Sequence, residues 1–231
     1  MASGSDTLGG SRLRRMARQT ASEREAAAER CDLCGAAMAP EHRHLLDLRS
    51  RDLQCVCRPC ALLFDRRAAG GGHFRLVPER RLRILDFELD DLAWEELRLP
   101  VDIAFFFRSA QAGRVLAYYP GPMGATESLL ELEAWQGLEA ANPVLATLED
   151  DVEALLVNRA RGARGHWLVP IDAPYELAGL IRMHWKGLTG GKAVWQEIGR
   201  FFGDLDRGAR PASRTGRRWS DAAAAAAAKG G

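Results

Sequence analysis

Short apolar runs and amphipathic stretches alternate between residues 73 and 207. Apolar runs bounded by turn residues predict β-strands at 73–77, 80–85, 101–107, 114–119, 152–157 and 167–171. The last four runs form two pairs, because only a short polar connection separates the members of each pair. We therefore expect antiparallel strand pairs in this part of the chain.

Apolar residues spaced three and four positions apart predict helices in the same region. The predicted helices cover 90–97, 130–141, 172–185 and 194–205. Asp90 precedes the first of them as its expected N-cap, and Asp172 is the expected cap of the third. The pattern is clearest from Val194 to Leu205, which reads as an amphipathic helix. Strand pairs followed by C-terminal helices predict an α+β fold.

Glycine and polar residues divide the chain into four segments. Residues 1–28 are rich in Ser, Gly, Ala and Arg, and residues 208–231 combine a Gly/Pro/Ser/Arg stretch with a run of seven alanines. Segments of this composition bury too little apolar surface to fold, so both are predicted to be disordered. The glycine run at 70–72 then separates a cysteine-containing module at 29–66 from an α+β domain at 73–207.

All five cysteines fall within one stretch of thirty residues. Cys31 and Cys34 form one Cys-x-x-Cys hook, and Cys57 and Cys60 form a second hook further along the chain. Two such hooks at this spacing offer four thiolates to one tetrahedral ion, as in zinc-ribbon and rubredoxin-like modules. The residues between the hooks predict a strand, a turn and a returning strand. We therefore predict that these four cysteines bind one metal ion.

The identity of the ion is less sharply defined than the ligand set. Four thiolates suit zinc and a single iron ion equally well. Rubredoxin hooks usually carry glycine after both second cysteines, whereas here Gly35 follows the first hook and Ala61 follows the second. This departure favours zinc. A module of about forty residues buries too little surface to fold alone, so the ion should supply much of its folding energy.

Three further donors lie close to the hooks in sequence. Cys55 and Cys57 point the same way by strand alternation, so Cys55 is an alternative ligand, a supporting thiol beside the ligands, or a small buried residue. His42 and His44 are the nearest nitrogen donors. Because four cysteines already complete a tetrahedral shell, we expect both histidines to be surface residues of the hairpin.

Composition and charge argue against several classes of function. The net charge is +1, but residues 1–30 carry +2 and residues 208–231 carry +4, which leaves −5 for residues 31–207. Such a body lacks the basic face that nucleic-acid binding requires. Outside the alanine run, no apolar stretch approaches the ~20 residues of a membrane helix. The first thirty residues also lack the apolar segment of a signal peptide. We expect a cytoplasmic protein without membrane insertion.

The stretch from Pro120 to Ser128 is predicted to be a long loop between a strand and a helix. Loops in such positions often form binding surfaces, and a purely structural loop is the alternative. Ligand binding by this loop is left open by the sequence. The chain contains no recognisable set of catalytic residues, which favours a role other than that of an enzyme.

Several stretches give the chain a family resemblance: Cys31 to Gly35, Glu41 to Leu48, Cys57 to Phe64, Pro100 to Phe107, Gly121 to Leu129 and Asn142 to Leu145. Over residues 29–207 the chain resembles an uncharacterised family encoded beside nickel–iron hydrogenase genes in high-GC bacteria. The resemblance implies a cytoplasmic hydrogenase accessory or assembly factor, with a hydrogenase subunit or maturation factor as its protein partner. It implies a cellular context without a mechanism.

These observations support a leading hypothesis and two alternatives. The leading hypothesis is a zinc-binding accessory protein that docks a hydrogenase component. The first alternative is a rubredoxin-type electron carrier that holds one iron ion in the same system. The second alternative is a nucleic-acid-binding zinc ribbon, which the charge distribution disfavours.

Overall fold

A computed structural model describes residues 30–65, 72–187 and 189–217. These residues form two compact units, which we call the cysteine unit, up to Leu76, and the α+β unit, from Val77 onward. The predicted disordered segment at 1–28 and the alanine run lie outside the described residues. The predicted α+β class, with antiparallel strand pairs and C-terminal helices, is confirmed.

The cysteine unit contains a three-stranded antiparallel sheet with the strand order β2-β1-β3. Its elements are β1 (Arg43–Asp47), β2 (Leu53–Val56), the short helix α1 (Arg58–Leu62) and β3 (Phe74–Leu76). The predicted turn between the first two strands is present, and Arg51 takes the left-handed conformation there, with φ of 60°. Asp47 stabilises this turn, since its Oδ1 accepts a hydrogen bond of 2.9 Å from the Arg49 amide.

Strand β3 belongs to the sheet of the cysteine unit. The sequence assigned the run at 73–77 to the α+β domain, but β3 pairs with β1, with Leu76 opposite Leu45. Leu76 packs against the small core of the cysteine unit, and the Phe74 ring contacts Phe64 at 5.8 Å between centroids. A glycine run in a sequence predicts a division between segments, but it does not reveal which sheet the following strand joins.

The α+β unit is built on a seven-stranded sheet with the order β10-β4-β9-β8-β5-β6-β7. Its strands are β4 (Leu82–Ile84), β5 (Ile103–Ser109), β6 (Arg114–Gly121), β7 (Gly124–Ser128), β8 (Glu153–Asn158), β9 (Gly165–Pro170) and β10 (Arg210–Ala212). Neighbouring strands run antiparallel, except that β10 and β4 are parallel. Strand β5 lies near the middle of the sheet, and Phe105, Phe106 and Phe107 on it are almost completely buried.

The described part of this unit contains four α-helices: α2 (Asp91–Glu96), α3 (Leu132–Ala141), α4 (Asp172–His184) and α5 (Gly191–Gly208). Two short 3-10 helices lie at Pro143–Thr147, after α3, and at Ala160–Gly162, after β8. Asp90 caps α2 as predicted, because its Oδ1 accepts a 2.8 Å hydrogen bond from the Ala93 amide. Asp172 is the first residue of α4, and Ile171 occupies the N-cap position instead. No helix in the described ranges combines the length and the apolar character needed to cross a membrane.

The predicted loop at 120–128 is a β-hairpin. Strands β6 and β7 pair up to Gly121 and Gly124, so only Pro122 and Met123 form the connection. Gly124 has φ of 104°, a conformation that glycine adopts without strain. The predicted loop is wrong because proline and glycine are typical of loops but also occur where a strand lacks a partner on one side. Pro120 is in such a position, since it lies beyond the last residue of β6 that pairs with β5.

The beginning of the predicted C-terminal tail is also part of the fold. Strand β10 pairs with β4, and both its last residue, Ala212, and the following residue, Ser213, are buried. Arg214 fixes this end, because its amide donates to Asp86 at 2.6 Å and its guanidinium donates to the Ala141 carbonyl at 2.7 Å. The described structure therefore continues to residue 217. A three-residue strand leaves too short a pattern to be recognised in a polar sequence.

Candidate metal centre

The sulfur atoms of Cys31, Cys34, Cys57 and Cys60 all lie within 4.8 Å of one another. The distance from Cys34 Sγ to Cys57 Sγ is 3.7 Å. In a tetrahedral site with metal–sulfur bonds of about 2.3 Å, neighbouring sulfur atoms are separated by about 3.8 Å. The two hooks predicted from sequence thus bring their thiols together at the spacing that a tetrahedral zinc or iron ion requires.

A tight turn shapes the first hook. The Gly35 amide donates to the Cys31 carbonyl, and the Cys31 amide donates to the Ala36 carbonyl, each at 2.8 Å. Gly35 has φ of 73°, in the left-handed region that disfavours other residues. The glycine after the second cysteine of this hook therefore has a conformational role: it reverses the chain so that Cys31 and Cys34 face the same point.

The second hook is a strand-to-helix junction. Cys57 follows β2 directly and is the N-cap residue of α1, and Cys60 lies within α1. Pro59 occupies the first turn of this helix, where its missing N–H breaks no helical hydrogen bond. The change from extended to helical backbone between Cys57 and Cys60 directs both side chains toward the first hook.

The pKa values of Cys31 and Cys60 are shifted in opposite directions. Burial raises the pKa of Cys31, but backbone N–H groups of Cys57, Cys34 and Leu33 outweigh it and lower this pKa to about 6. Interactions with the Cys57 and Cys34 side chains, together with burial, raise the pKa of Cys60 to about 12. A single thiolate, at Cys31, is therefore stable near neutral pH. Four thiolates together require a cation among them to balance their negative charges. Binding of a divalent ion would release the remaining protons.

The cluster is buried on one side and accessible on the other. Cys31 and Cys60 pack with Leu45, Val56 and Ala61 in the small core of the cysteine unit. Cys34 is exposed and Cys57 is half-buried. Three apolar side chains near these cysteines in sequence are also exposed, to 40% for Leu33 and 68% for Leu62 and Leu63.

The structure places Cys55 in a different group from the four cysteines. Donor atoms of His42, His44 and Cys55 lie within 4.8 Å of one another. Cys55 pairs with His44 across the antiparallel β1–β2 ladder. The sequence left Cys55 as an alternative ligand of the four-cysteine site, a supporting thiol beside it or a small buried residue, and it predicted both histidines at the hairpin surface. The cross-strand register brings the three together, and the register was not evident from spacing along the chain.

The described residues contain no further group of three or more His, Cys, Asp or Glu side chains with donor atoms this close. The histidines flanked by tryptophans are separate: His166 is buried against Phe87, and His184 contacts the Leu180 carbonyl in its own helix. Both donor groups of the described chain are therefore in the cysteine unit.

Fold and site together define a two-unit α+β protein whose N-terminal unit carries a four-cysteine cluster beside a β-hairpin. The chain belongs to a family of unknown function, DUF5947, whose model matches residues 30–209. That match includes both hooks, strands β1 to β9 and all of α5, and it ends just before β10. Comparisons with curated proteins and with solved structures give no significant match.

Proposed function

We propose that this protein is a zinc-binding accessory protein, in which Cys31, Cys34, Cys57 and Cys60 hold one zinc ion and the surrounding surface docks a protein partner. The main observation behind this proposal is the four-sulfur cluster, in which all four donor atoms lie within 4.8 Å of one another. Two hooks that converge on one point from separate segments form the arrangement that a four-ligand metal site requires.

A structural role for the ion follows from the ligand count. Four cysteine ligands complete the tetrahedral shell of zinc and leave no coordination position for a substrate. Among the described residues, the core at the cluster has five buried members, two of which are the ligands Cys31 and Cys60 themselves. A structural zinc ion contributes on the order of 10 kcal/mol to the folding of such modules, enough to stabilise a unit with little apolar core.

Exposed apolar residues support the docking role. Leu33 lies within the first hook, and Leu62 and Leu63 follow the second hook after the buried Ala61. Leucines exposed by 68% beside a rigid metal site are suited to bury against another protein. The partner we propose is a nickel–iron hydrogenase subunit or maturation factor in the cytoplasm. This part of the proposal rests on the family resemblance of the sequence.

Affinity purification from a host that produces both proteins tests the docking role. We expect the wild-type chain to recover hydrogenase components and the Leu62→Asp/Leu63→Asp double variant to lose them. Leu92→Asp is the matched control, since Leu92 is 66% exposed but lies in the α+β unit. Recovery of unrelated proteins alone would refute the hydrogenase assignment. Equal recovery by wild type and the double variant would refute the proposed surface.

A rubredoxin-type iron centre is the second candidate, and the exposure of Cys34 favours it, because an exposed ligand offers a short path for electrons. Metal analysis distinguishes the two candidates. Protein produced in cells supplied with both ions should be colourless and contain zinc if the leading proposal is correct. A red protein with thiolate-to-iron absorption would instead support the electron carrier.

A further inference from the structure

Two histidines and a cysteine form a second group of metal-type donors on the β1–β2 hairpin. One ring nitrogen each of His42 and His44 and the sulfur of Cys55 lie within 4.8 Å of one another. The two imidazole rings meet edge to face, with 4.9 Å between centroids and 75° between planes. Cys55 is 5% exposed, and both histidines are half-buried.

The strand geometry explains why these residues converge. His44 and Cys55 are register partners on neighbouring antiparallel strands, so their side chains project from the same face of the sheet. Leu45 and Val56, one residue further along each strand, belong to the apolar core with Cys31 and Cys60. Because successive residues alternate between faces, the His44–Cys55 pair projects from the face opposite that core.

Hydrogen bonding orients the His42 ring. Its Nδ1 lies 3.2 Å from the Ala39 carbonyl oxygen and 3.1 Å from the Pro40 carbonyl oxygen. Carbonyl oxygens only accept, so Nδ1 carries the proton and donates it to them. In the neutral ring this tautomer leaves the lone pair on Nε2. Metal-binding histidines characteristically use one nitrogen as a ligand and hold the other by such a bond to a carbonyl.

We propose that His42, His44 and Cys55 form a second transition-metal site, with two imidazole nitrogens and one thiolate as ligands for an ion of the zinc class. Imidazole and thiolate donors select zinc-like ions over magnesium or calcium, and the group contains no carboxylate. Three protein ligands leave a fourth tetrahedral position for water or for a donor from a bound partner.

The second site is independent of the four-cysteine centre, since the two groups have no ligand in common. The four-cysteine shell is complete, whereas the second shell is open on one side. An ion in the second site should therefore exchange faster and bind more weakly than the ion held by four thiolates. This inference goes beyond the accessory function proposed above and does not depend on the identity of the partner.

Metal titration of the full chain without an affinity tag tests the proposal. The wild-type protein, kept reduced, should bind two equivalents of Zn²⁺, and a chelator should remove one of them first. Cobalt(II) distinguishes the sites by absorption. The four-cysteine site should give strong charge-transfer bands from four thiolates, and the second equivalent should add tetrahedral d–d bands with much weaker charge transfer.

Matched variants assign the second equivalent. Cys55→Ala and His44→Gln should each reduce the stoichiometry from two ions to one while preserving the four-thiolate cobalt spectrum, which also reports that the unit is folded. His73→Gln is the control, because His73 is an exposed histidine of the same unit outside the group. His42→Gln provides a third variant outside the strands, in case substitution within β1 or β2 disturbs the sheet.

Two results would overturn the proposal. One is a wild-type stoichiometry of a single ion with a four-thiolate spectrum. The other is a second equivalent that persists in all three variants or disappears together with the four-thiolate bands in all of them. Neither result would weaken the assignment of the four-cysteine centre, whose failure would instead appear as loss of the strong charge-transfer bands in the wild type.

Discussion

Asp32 and Cys55 are joined by two hydrogen bonds that link the first cysteine hook to strand β2. The Cys55 amide donates to the Asp32 carboxylate at 2.7 Å, and the Asp32 amide donates to the Cys55 carbonyl at 2.9 Å. Asp32 lies between the two cysteines of the first hook, and Cys55 belongs to the second donor group and comes two residues before the second hook. This pair therefore holds one half of the four-cysteine centre against the other.

Asp32→Ala should weaken zinc binding by about tenfold, at the low end of the roughly 1.5–3 kcal/mol that a hydrogen bond to a charged acceptor contributes, because Asp32 is exposed to water. Asp32→Asn retains an acceptor oxygen and should recover most of the affinity. Competition with a zinc chelator measures the difference. Equal affinities of wild type and Asp32→Ala would show that the pair does not support the centre.

Cys60→Ser should abolish tight metal binding and unfold the cysteine unit, since a shell of three thiolates loses much of the binding energy that folds it. The α+β unit should remain folded, because it has its own core around Phe106 and Trp135. All six tryptophans lie beyond residue 76, so tryptophan fluorescence reports on that unit alone. Its denaturation midpoint should be unchanged in the variant.

Limited proteolysis offers an independent check on the boundary between the units. In Cys60→Ser we expect a stable fragment that begins near Val77, because β3 belongs to the sheet of the cysteine unit. A fragment that begins at the glycine run near residue 72 would favour the boundary predicted from sequence. Simultaneous degradation of the whole chain would mean that the two units fold as one.

His166 should make the stability of the α+β unit depend on pH. Burial, followed by the positive charges of Arg83, Arg159 and Arg164, lowers the pKa of His166 to about 3. The unfolded chain binds a proton near pH 6.5, whereas the folded unit does not, so the free energy of unfolding decreases as pH falls from 6.5 toward 3. The expected loss is about 2 kcal/mol by pH 5.

Denaturant titrations followed by tryptophan fluorescence between pH 7 and pH 5 measure this loss. His166→Leu removes the titrating ring, and its stability should fall less steeply with decreasing pH than that of the wild type. Subtracting the two profiles removes the contribution of carboxylates that titrate in both proteins. Parallel profiles would contradict the assignment of the pH dependence to His166.

Arg80→Met should destabilise the α+β unit by about 3 kcal/mol, because it strands a buried carboxylate without its charged partner. Glu153 is 1% exposed and accepts hydrogen bonds from Arg80 at 2.8 and 2.5 Å. The Glu149 amide also donates to it, at 2.9 Å. Adding Glu153→Gln to Arg80→Met should restore part of the stability, since a neutral amide is less costly to bury.

Equilibrium unfolding of the wild type, both single variants and the double variant forms the thermodynamic cycle for this pair. A coupling energy near zero would indicate that Arg80 contributes packing alone. The same measurement at high salt is a useful control, because a pair with one buried member should be screened less than a surface pair.

The four-cysteine cluster could be predicted from sequence because its information is local. Each Cys-x-x-Cys hook places two thiols together within four residues, and the hairpin between the hooks closes the remaining gap. The strand pair β8–β9 and the amphipathic helix α5 were predictable for a similar reason. Both strands are short apolar runs that are buried throughout and pair as neighbours along the chain, and the buried residues of α5 recur at helical spacing.

The tertiary structure decided the features that depend on partners distant in sequence. Strand β3 joins β1 across the glycine run, and β10 joins β4 from more than 120 residues away. Short strands of this kind carry almost no periodic pattern, so backbone pairing with a distant partner determines where they lie. The hairpin at 120–128 was also decided by the tertiary structure, because its proline and glycine residues are typical of a loop and do not indicate the pairing of β6 with β7.

The second donor group shows the same division between local and distant information. The sequence by itself determined that His42, His44 and Cys55 lie near the hooks, and it gave the alternation that puts residues two apart on one face. Only the pairing of His44 with Cys55 brought imidazole and thiol together. The sequence specifies side-chain type and spacing directly. Cross-strand register depends instead on the packing of the whole sheet, because a shift of one residue would turn every side chain of a strand to the other face.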